Sequence, residues 1–495
     1  MKPKLYFYIS IIFLYLGIQF KLNAQHITPI GVSNYGAVHS YHINPSLNAY
    51  SKYKWHVNLA GVWVNINNNY VTHRLPFSAY KMPNNVPNNY QDEKGNLKWN
   101  RAWLTENLNG NAKHLSVASN IYGPSASVQI KTWRIGFISS GNFNARVVGL
   151  PENLAHALFK EFDSTKGAFS EFKTFQQGGD NTIEKFTIAA NSRISTGLNL
   201  SKAIALDFKR QLLLGITIKR EWGMPGFYLN NSGMTLKTIN PDSLVFMPTN
   251  IQMVSYGNTI GKGMGYDIGA TYIFNKKPQK QNIFYHKNQT NYFAKIGFSI
   301  MDIGKITYQN AQFTNLTTTS EIGINSNTFF VNNNNYLATA DSFLNTFGTV
   351  KRYIGTYQVG LPTRLVLSSD FQLKKNVFLS GIITQSLRKR NSQHSRYQST
   401  LMIAPRWETR YFEFSLPAYL AYDYRAFRLG ASFRIGPLYF GSNSIYSFIN
   451  TKAVRDADIF IGIAFGNNPN FNFKQIFKRK KASAAKGKLG CFNSF

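Results

Sequence analysis

Alternation of apolar and polar residues over segments of about ten residues is the feature that most restricts the fold of this chain. Residues 425–441, RAFRLGASFRIGPLYFG, show the pattern clearly. Successive side chains of a strand point to opposite faces, so the odd-numbered residues from Phe427 to Ile435 form one apolar face. The opposite face carries Arg428 and Arg434, and these two charges need a polar environment.

The same alternation recurs along the chain and predicts an all-β protein. Clear candidate strands lie at 55–71, 125–143, 210–221, 263–274, 291–304, 363–387, 399–422 and 456–466. With weaker segments included, we expect about 14 strands, within a range of about 12 to 18. Tight turns are expected near Lys131–Thr132, 374–376, Thr409 and Gly436–Pro437. Long polar connectors are expected at 72–112, 163–182, 276–290 and 309–360.

Composition separates two architectures that share this alternation. Aromatic residues make up 15% and charged residues only 16% of the chain, whereas soluble domains carry about 25% charged residues. Soluble β-sandwiches also alternate, but strands of 9–12 residues match a tilted bilayer crossing, and aromatics gather near strand ends. The sequence therefore predicts a transmembrane antiparallel β-barrel over residues 25–466.

The first residues predict export. Lys2 and Lys4 precede an apolar run at 5–20, and a small residue, Ala24, stands where a signal peptidase would cut. The run is shorter than the roughly 20 residues of a spanning helix, which disfavours the alternative of an N-terminal anchor. We expect residues 1–24 to be a signal peptide and the mature protein to lie in the outer membrane of a Gram-negative cell.

The formal net charge of +33 indicates that the protein's partners are anionic. Nucleic acid is not expected for an exported protein, whereas outer-membrane lipid and anionic lipopolysaccharide are available counter-charges. Basic residues concentrate at 474–488, within a tail at 467–495 that loses the alternation. This tail is expected in the periplasm, either solvated or in contact with a periplasmic or envelope protein.

One segment has helical rather than strand periodicity. In LPENLAHALFKEF, residues 150–162, a proline is followed by an acid, and Leu154, Leu158 and Phe162 recur at helical spacing. We predict one short helix here, as an excursion within a loop. A helix that plugs the barrel is the less favoured alternative.

The chain resembles a Bacteroidota family of outer-membrane β-barrel proteins, a domain of unknown function often fused to an OmpA-like domain. The matching stretches are 42–71, 122–130, 265–274, 294–308, 361–373, 427–444 and 456–466. Asn44 and Pro45, in INPSLNA, also resemble the N-terminal motif of FadL- and PorV-like barrels. The resemblance implies a barrel and no agreed chemistry. The basic tail stands where related chains carry the OmpA-like domain, so wall anchoring is not implied.

No catalytic or metal-binding arrangement is visible in the sequence. His39, His42 and His56 lie close together but without a nucleophile motif, and the single cysteine, Cys491, cannot form a cysteine-based metal site. We therefore predict no enzyme activity and no cofactor.

Four basic residues are the candidate lumen lining, because on a lipid-facing side each would cost about 2–4 kcal/mol. They are Lys219, Lys295, Arg428 and Arg434. They could select anionic solutes, or pair with Asp267, Asp370 or Glu408 and close the lumen. Together with the FadL-like resemblance, a basic lining implies transport or binding of small hydrophobic or anionic molecules. The PorV-like resemblance, the long polar connectors and the basic tail imply the alternative, a structural scaffold or a secretion-machinery partner.

Overall fold

The computed structural model describes most of the chain and leaves out both ends and several connections. The described residues are 29–78, 86–91, 97–98, 100–161, 180–183, 185–240, 243–246, 250–277, 292–317, 322–325, 349–449 and 454–467. The predicted signal peptide and almost all of the predicted basic tail lie outside these ranges.

Fourteen antiparallel strands form the body of the molecule, and five of them are interrupted. The first seven are β1 (Trp55–Asn68), β2 (Lys113–Tyr122 and Ser125–Ile130), β3 (Trp133–Leu150), β4 (Phe186–Ala205), β5 (Arg210–Asn231), β6 (Asn250–Tyr256 and Gly261–Asn275) and β7 (Tyr292–Thr317). The others are β8 (Thr349–Gly360 and Arg364–Lys374), β9 (Val377–Ser386), β10 (Thr400–Glu408), β11 (Phe412–Ser415 and Ala418–Ala421), β12 (Ala426–Leu429 and Ala431–Ile435), β13 (Leu438–Ser442) and β14 (Asp456–Asn467).

Each strand pairs with its neighbours in the sequence, and β14 pairs with β1, which closes the sheet into a barrel. The closing register places Trp63 opposite Phe460. A closed barrel leaves no sheet edge, so the backbone groups of all strands can be paired within the sheet. The predicted all-β fold and the predicted number of strands are confirmed.

The two faces of the barrel wall differ in polarity, as the alternation predicts. On β5, Leu214, Ile216 and Ile218 point outward and are 42%, 39% and 46% exposed. Thr217 and Lys219, between and beside them, point inward and are 0% and 6% exposed. The barrel therefore has an apolar exterior and a polar interior.

The stretch at 425–441 differs in one respect from the uninterrupted strand that its pattern predicts. β12 is broken at Gly430, whose N–H donates to the carbonyl of Pro417 at 2.8 Å. A Cβ at Gly430 would lie 2.6 Å from the carbonyl oxygen of Ser442. β11 is broken beside it, because Pro417 has no N–H for the ladder.

The connections divide between the two ends of the barrel. Short turns follow β2, β4, β8, β10 and β12, and the start of β1 and the end of β14 lie at this same short-turn end. Most of the long connections lie at the opposite, long-loop end, whereas the connection at 276–291 joins β6 and β7 at the short-turn end. The predicted connector at 309–360 is wrong in extent, since β7 continues to Thr317 and β8 begins at Thr349. The ends of β7 and β8 on the long-loop side carry many polar residues, so their sequence resembles that of a loop.

The predicted helix is present as α1, Glu152–Glu161, in the connection between β3 and β4. Its Glu152 carboxylate accepts hydrogen bonds from the backbone N–H groups of Asn109 (2.7 Å) and Gly110 (3.0 Å). The helix is thus tied to the connection between β1 and β2. A four-residue helix, α2 (Tyr446–Ile449), follows β13. Within the described ranges, none of the helices combines the length and apolar character needed to cross a bilayer.

Candidate functional site: the plugged lumen

Residues 29–54, which we call the plug, run from the first described residue to the start of β1 and fill the barrel interior. The plug forms three short 3-10 turns, Pro29–Val32, Ala37–His42 and Leu47–Tyr50, and nearly all of its residues are buried. It returns to the wall where the N–H of Lys54 donates to the carbonyl of Asn467 at 2.8 Å. Its backbone is therefore enclosed by the strands that follow it.

Asn44 fixes the middle of the plug to the wall. Its side chain is fully buried (0% exposed), and its Nδ2 donates to the carbonyls of Ala270 (3.1 Å) and Phe298 (3.2 Å) on β6 and β7. Its Oδ1 accepts from the N–H of Ser46 at 2.9 Å, which shapes the turn through Pro45. One amide thus bridges two wall strands and its own turn.

Glycines in the wall leave room for this Asn44–Pro45 turn. A Cβ on Gly215 of β5 would lie 2.4 Å from the backbone nitrogen of Ser46 and 2.5 Å from the carbonyl carbon of Pro45. A Cβ on Gly269, which faces Gly215 across the ladder, would lie 2.1 Å from Asn44 Oδ1. We call these two residues the glycine seat. Only glycine lets the plug backbone approach the strands this closely.

The start of the plug contacts charged wall residues. Ser33 donates to Glu413 at 2.7 Å, and Asn34 donates to Glu408 through both its backbone N–H (3.1 Å) and its Nδ2 (2.9 Å). Lys295 donates to the carbonyl of Val32 at 3.2 Å. These charge-assisted hydrogen bonds hold the plug to β7, β10 and β11.

One buried charge network lies beside the plug on β4 to β8. Lys219 contacts Asp267 at 2.8 Å and also Asp302, which in turn pairs with Arg364. An ion pair between Arg193 Nε and Glu221 Oε2, 3.4 Å apart, completes the network. With three cations and three carboxylates, the network is balanced, as buried charges must be.

A second balanced network lies on β7 to β12. Lys295 and Arg406 both contact Asp370 at 3.2 Å, and Arg406 contacts Glu408 at 3.3 Å. The network continues to a pair between Glu413 and Arg434, also at 3.2 Å. The plug residues Ser33 and Asn34 hydrogen-bond to two of its carboxylates.

The four residues singled out in the sequence all lie inside the barrel and all have acidic partners. Lys219 and Lys295 pair with two of the suggested partners, Asp267 and Asp370. Arg434 pairs with Glu413 and Arg428 with Asp456, whereas Glu408 pairs with Arg406. Lys295 and Arg434 thus belong to the second network, Lys219 to the first and Arg428 to a separate pair, and the four do not form one basic lining.

Three cavities descend from the long-loop end towards the plug, with volumes of about 170, 20 and 30 Å³. We call them the mouth, middle and lower cavities. Asn144 and Arg396 line both the mouth and the middle cavity. The lower cavity ends on Tyr41 and His42 of the plug.

Residues 387–399, which we call the inward loop, narrow this series of cavities. Tyr397 of the inward loop lines both the middle and the lower cavity, and its hydroxyl donates to Asn142 of β3 at 3.3 Å. The guanidinium of Arg364 stacks on the Tyr397 ring, 4.4 Å from its centroid. Polar and cationic side chains, rather than a continuous apolar surface, therefore border the narrow part of the lumen.

A family assignment follows from comparison of the whole chain with known protein families. Residues 45–443 match a family of unknown function, DUF5723. The chain belongs to this family. The matched region contains β1 to β13, with the glycine seat, and the plug from Pro45 onward, whereas the closing strand β14 lies outside it. No curated protein matches the chain.

Solved structures that resemble the barrel include three bacterial proteins. The Pseudomonas putida toluene transporter TodX has a TM-score of 0.40 and 10% identity, covering 90% of this chain and 98% of its own. The Ralstonia pickettii toluene transporter TbuX has a TM-score of 0.38 and 9% identity, covering 85% and 91%. A Pseudomonas aeruginosa FadL homologue has a TM-score of 0.37 and 12% identity, covering 88% and 92%. Similarity at this level does not extend to what those proteins carry.

Several predictions about this family member stay predictions. They are the Bacteroidota origin, the relation to OmpA-fused chains, the signal peptide and an envelope partner for the basic tail. The absence of enzyme activity and of a cofactor also stays a prediction. Among the described residues, no three His, Cys, Asp or Glu side chains are grouped so that they could hold a metal ion.

Sequence reasoning missed the plug and several members of the charge networks. Residues 29–54 lack alternation, and that break before the first strand was the available signal. Asp302 was not predicted to face the lumen, because strict alternation along β7 places its side chain on the outer face. A bulge of β7, with Asp302 at φ +56°, turns its carboxylate into the lumen.

Proposed function

We propose that this protein is an outer-membrane barrel that admits a small polar solute from its long-loop end and is gated by its plug. The observation that carries the proposal is the series of three cavities that ends on Tyr41 and His42 of the plug. Because the lowest cavity ends on the plug, displacement of the plug would extend the cavities into a continuous path.

The membrane location is supported by the exterior of the barrel. Outward-facing aliphatic side chains cover the wall, and a ring of exposed aromatic side chains surrounds the short-turn end, as in the interfacial girdles of membrane barrels. The ring consists of Trp55, Trp133, Phe208, Phe274, Phe293, Trp407, Tyr411, Phe412 and Phe465. Short turns face the periplasm in such barrels, so the plug is attached on the periplasmic side and the inward loop faces outside.

The plug is suited to a gate because hydrogen bonds and the apolar packing of Val32, Ile43 and Leu47, rather than pairing in the sheet, hold it to the wall. Its hydrogen bonds go to side chains and carbonyls of the wall, and water can replace each of them when the plug moves. The wall itself keeps its ladder of backbone hydrogen bonds without the plug. Movement of the plug would therefore open a water-filled path through an intact barrel.

The nature of the solute is indicated by the side chains along the path. Arg193, Asn142 and Tyr397 line both the middle and the lower cavity. Polar side chains at a constriction favour hydrated or charged solutes over hydrocarbons. Of the two solute classes that the sequence suggests, this geometry favours the anionic one.

Removal of the plug tests the proposal. In planar bilayers, the full chain should give rare or no openings, and deletion of residues 29–50 should give stable, long-lived conductance. Heat-modifiable migration on a gel checks that the deletion variant still forms a barrel. A folded deletion variant that stays silent would overturn the proposed gate and favour a structural role.

A further inference from the structure

The mouth cavity has a lining that none of the assignments above explains. It lies between the first residues of β2, the last residues of β3 and the inward loop, and its volume is about 170 Å³. Four arginines line it: Arg146, Arg390, Arg396 and Arg425. This concentration of positive charge differs from the two balanced networks deeper in the barrel.

Arg146 is the central observation. Its side chain extends inward from β3 and is 7% exposed, and its Nη2 donates to the carbonyls of Ser392 and His394 (2.8 Å) in the inward loop. Its Nε and Nη1 are buried and have no hydrogen-bond partner among the described residues. Leaving charged donors unsatisfied in a buried position is costly, so these two groups require a ligand or water.

Two amides of the same cavity are also incompletely bonded. The side-chain oxygens of Asn144 and Gln398 are buried without a partner among the described residues, and both residues line the cavity. An amide group can turn by 180° and present its N–H₂ instead of its oxygen. The cavity thus brings two amides next to the free donors of Arg146.

Among the described residues, one carboxylate offsets part of the arginine charge. Asp423 pairs with Arg396 at 2.6 Å and with Arg390 at 2.8 Å. Arg425 and Arg146 have no such ion pair within the described part of the chain. The cavity therefore retains an excess of positive charge that an anion can neutralise.

We propose that the mouth cavity binds the oxyanion of a small solute, a carboxylate or phosphate, with Arg146 as the principal donor and Arg425 contributing charge. Nη2 of Arg146 is occupied by the two loop carbonyls, so Nε and Nη1, on different edges of the guanidinium, each have one direction free to donate to an anion oxygen or to a water. The proposal names the solute class for the gated path and in that respect rests on the proposed function. The binding site itself lies outside the plug, so binding can be measured independently of transport.

Calorimetric titration of the purified full chain in detergent tests the site, with inorganic phosphate and succinate as probes. Both should bind, and Arg146→Gln should weaken binding at least about tenfold, because a hydrogen bond from a charged donor is lost. Arg425→Gln, at an exposed position, should weaken binding several-fold. Arg74→Gln removes an exposed arginine on the same end but outside the cavity and should leave binding unchanged.

A second experiment distinguishes a free small anion from the phosphate of a bound lipid. Native mass spectrometry of the protein as purified should show no bound phospholipid or lipopolysaccharide that Arg146→Gln removes. Phosphate or succinate binding that is equal in the full chain and both cavity variants would overturn the proposal, as would a lipid phosphate held by Arg146. The deletion variant lacking residues 29–50 should bind phosphate normally even if it fails to conduct, which separates this site from the gate.

Discussion

At the scale of single residues, buried charges in this barrel depend on complete neutralisation. Asp302 contacts both Lys219 and Arg364 inside the first network. Asp302→Asn leaves two buried cations with reduced compensation, and removal of one partner from a buried ion network costs about 3–5 kcal/mol. We expect a loss of this size in the free energy of unfolding, measured by urea titration of the protein in micelles.

Two control variants separate charge from packing. Lys219→Met combined with Asp267→Asn removes one charge of each sign, so it should cost less than Asp302→Asn alone. Asp207→Asn breaks an exposed pair with Arg210 in the turn after β4 and should have little effect. Equal stability of Asp302→Asn and the wild-type chain would mean that the network does not need its central carboxylate.

Asp423 gives a second prediction at this scale. Burial raises the pKa of its carboxyl, but hydrogen bonds and charge from Arg396 outweigh this and hold the pKa below its ordinary value. The carboxylate is therefore ionised at neutral pH and competes with an incoming anion for Arg390 and Arg396. Asp423→Asn should raise phosphate affinity several-fold in the calorimetric titration at pH 7. Unchanged or weaker binding would contradict the assignment of an anion site to this cavity.

At the scale of elements, the glycine seat determines how the plug lies against β5 and β6. Gly215→Ala places a Cβ against the backbone of Pro45 and Ser46, which cannot turn aside as a side chain could. The plug should be displaced while the wall stays closed, so the variant should conduct in planar bilayers. Gly141→Ala is the matched control, because its Cβ would meet only Ile121 at an ordinary 3.8 Å. If both variants stay silent, the seat does not control the plug.

The strands were predictable from sequence, and the plug was not, for a common physical reason. Alternation with period two indicates which face of a strand is outermost, so the starts of β5 and β7 and the turn at Lys131–Thr132 are predictable. Both strands continue beyond their predicted ends at 221 and 304. The plug has no exposed face and no regular period, since the wall encloses it on all sides with both polar and apolar side chains. Bulges such as the one at Asp302 change which face a residue occupies and cannot be inferred from alternation.

At the scale of the whole molecule, the barrel combines a permanent wall with two interior segments. The plug closes the lumen from the short-turn end, and the inward loop narrows it from the other. Cavities lie between them. The four basic residues that the sequence predicts on the inner face pair with carboxylates, and Lys295 also donates to the plug. Positive charge stays uncompensated in the mouth cavity.

A reversible lock tests the central claim that movement of the plug opens the barrel. The Oγ atoms of Ser46 and Thr271 are 2.7 Å apart, so cysteines at both positions can form a disulfide between plug and wall. Cys491→Ser removes the single native cysteine. In proteoliposomes, flux of radiolabelled phosphate should be blocked after oxidation and restored by reduction, while Ser46→Cys alone should be insensitive to oxidation. Equal flux through the oxidised and reduced double variant would contradict a gating role for the plug.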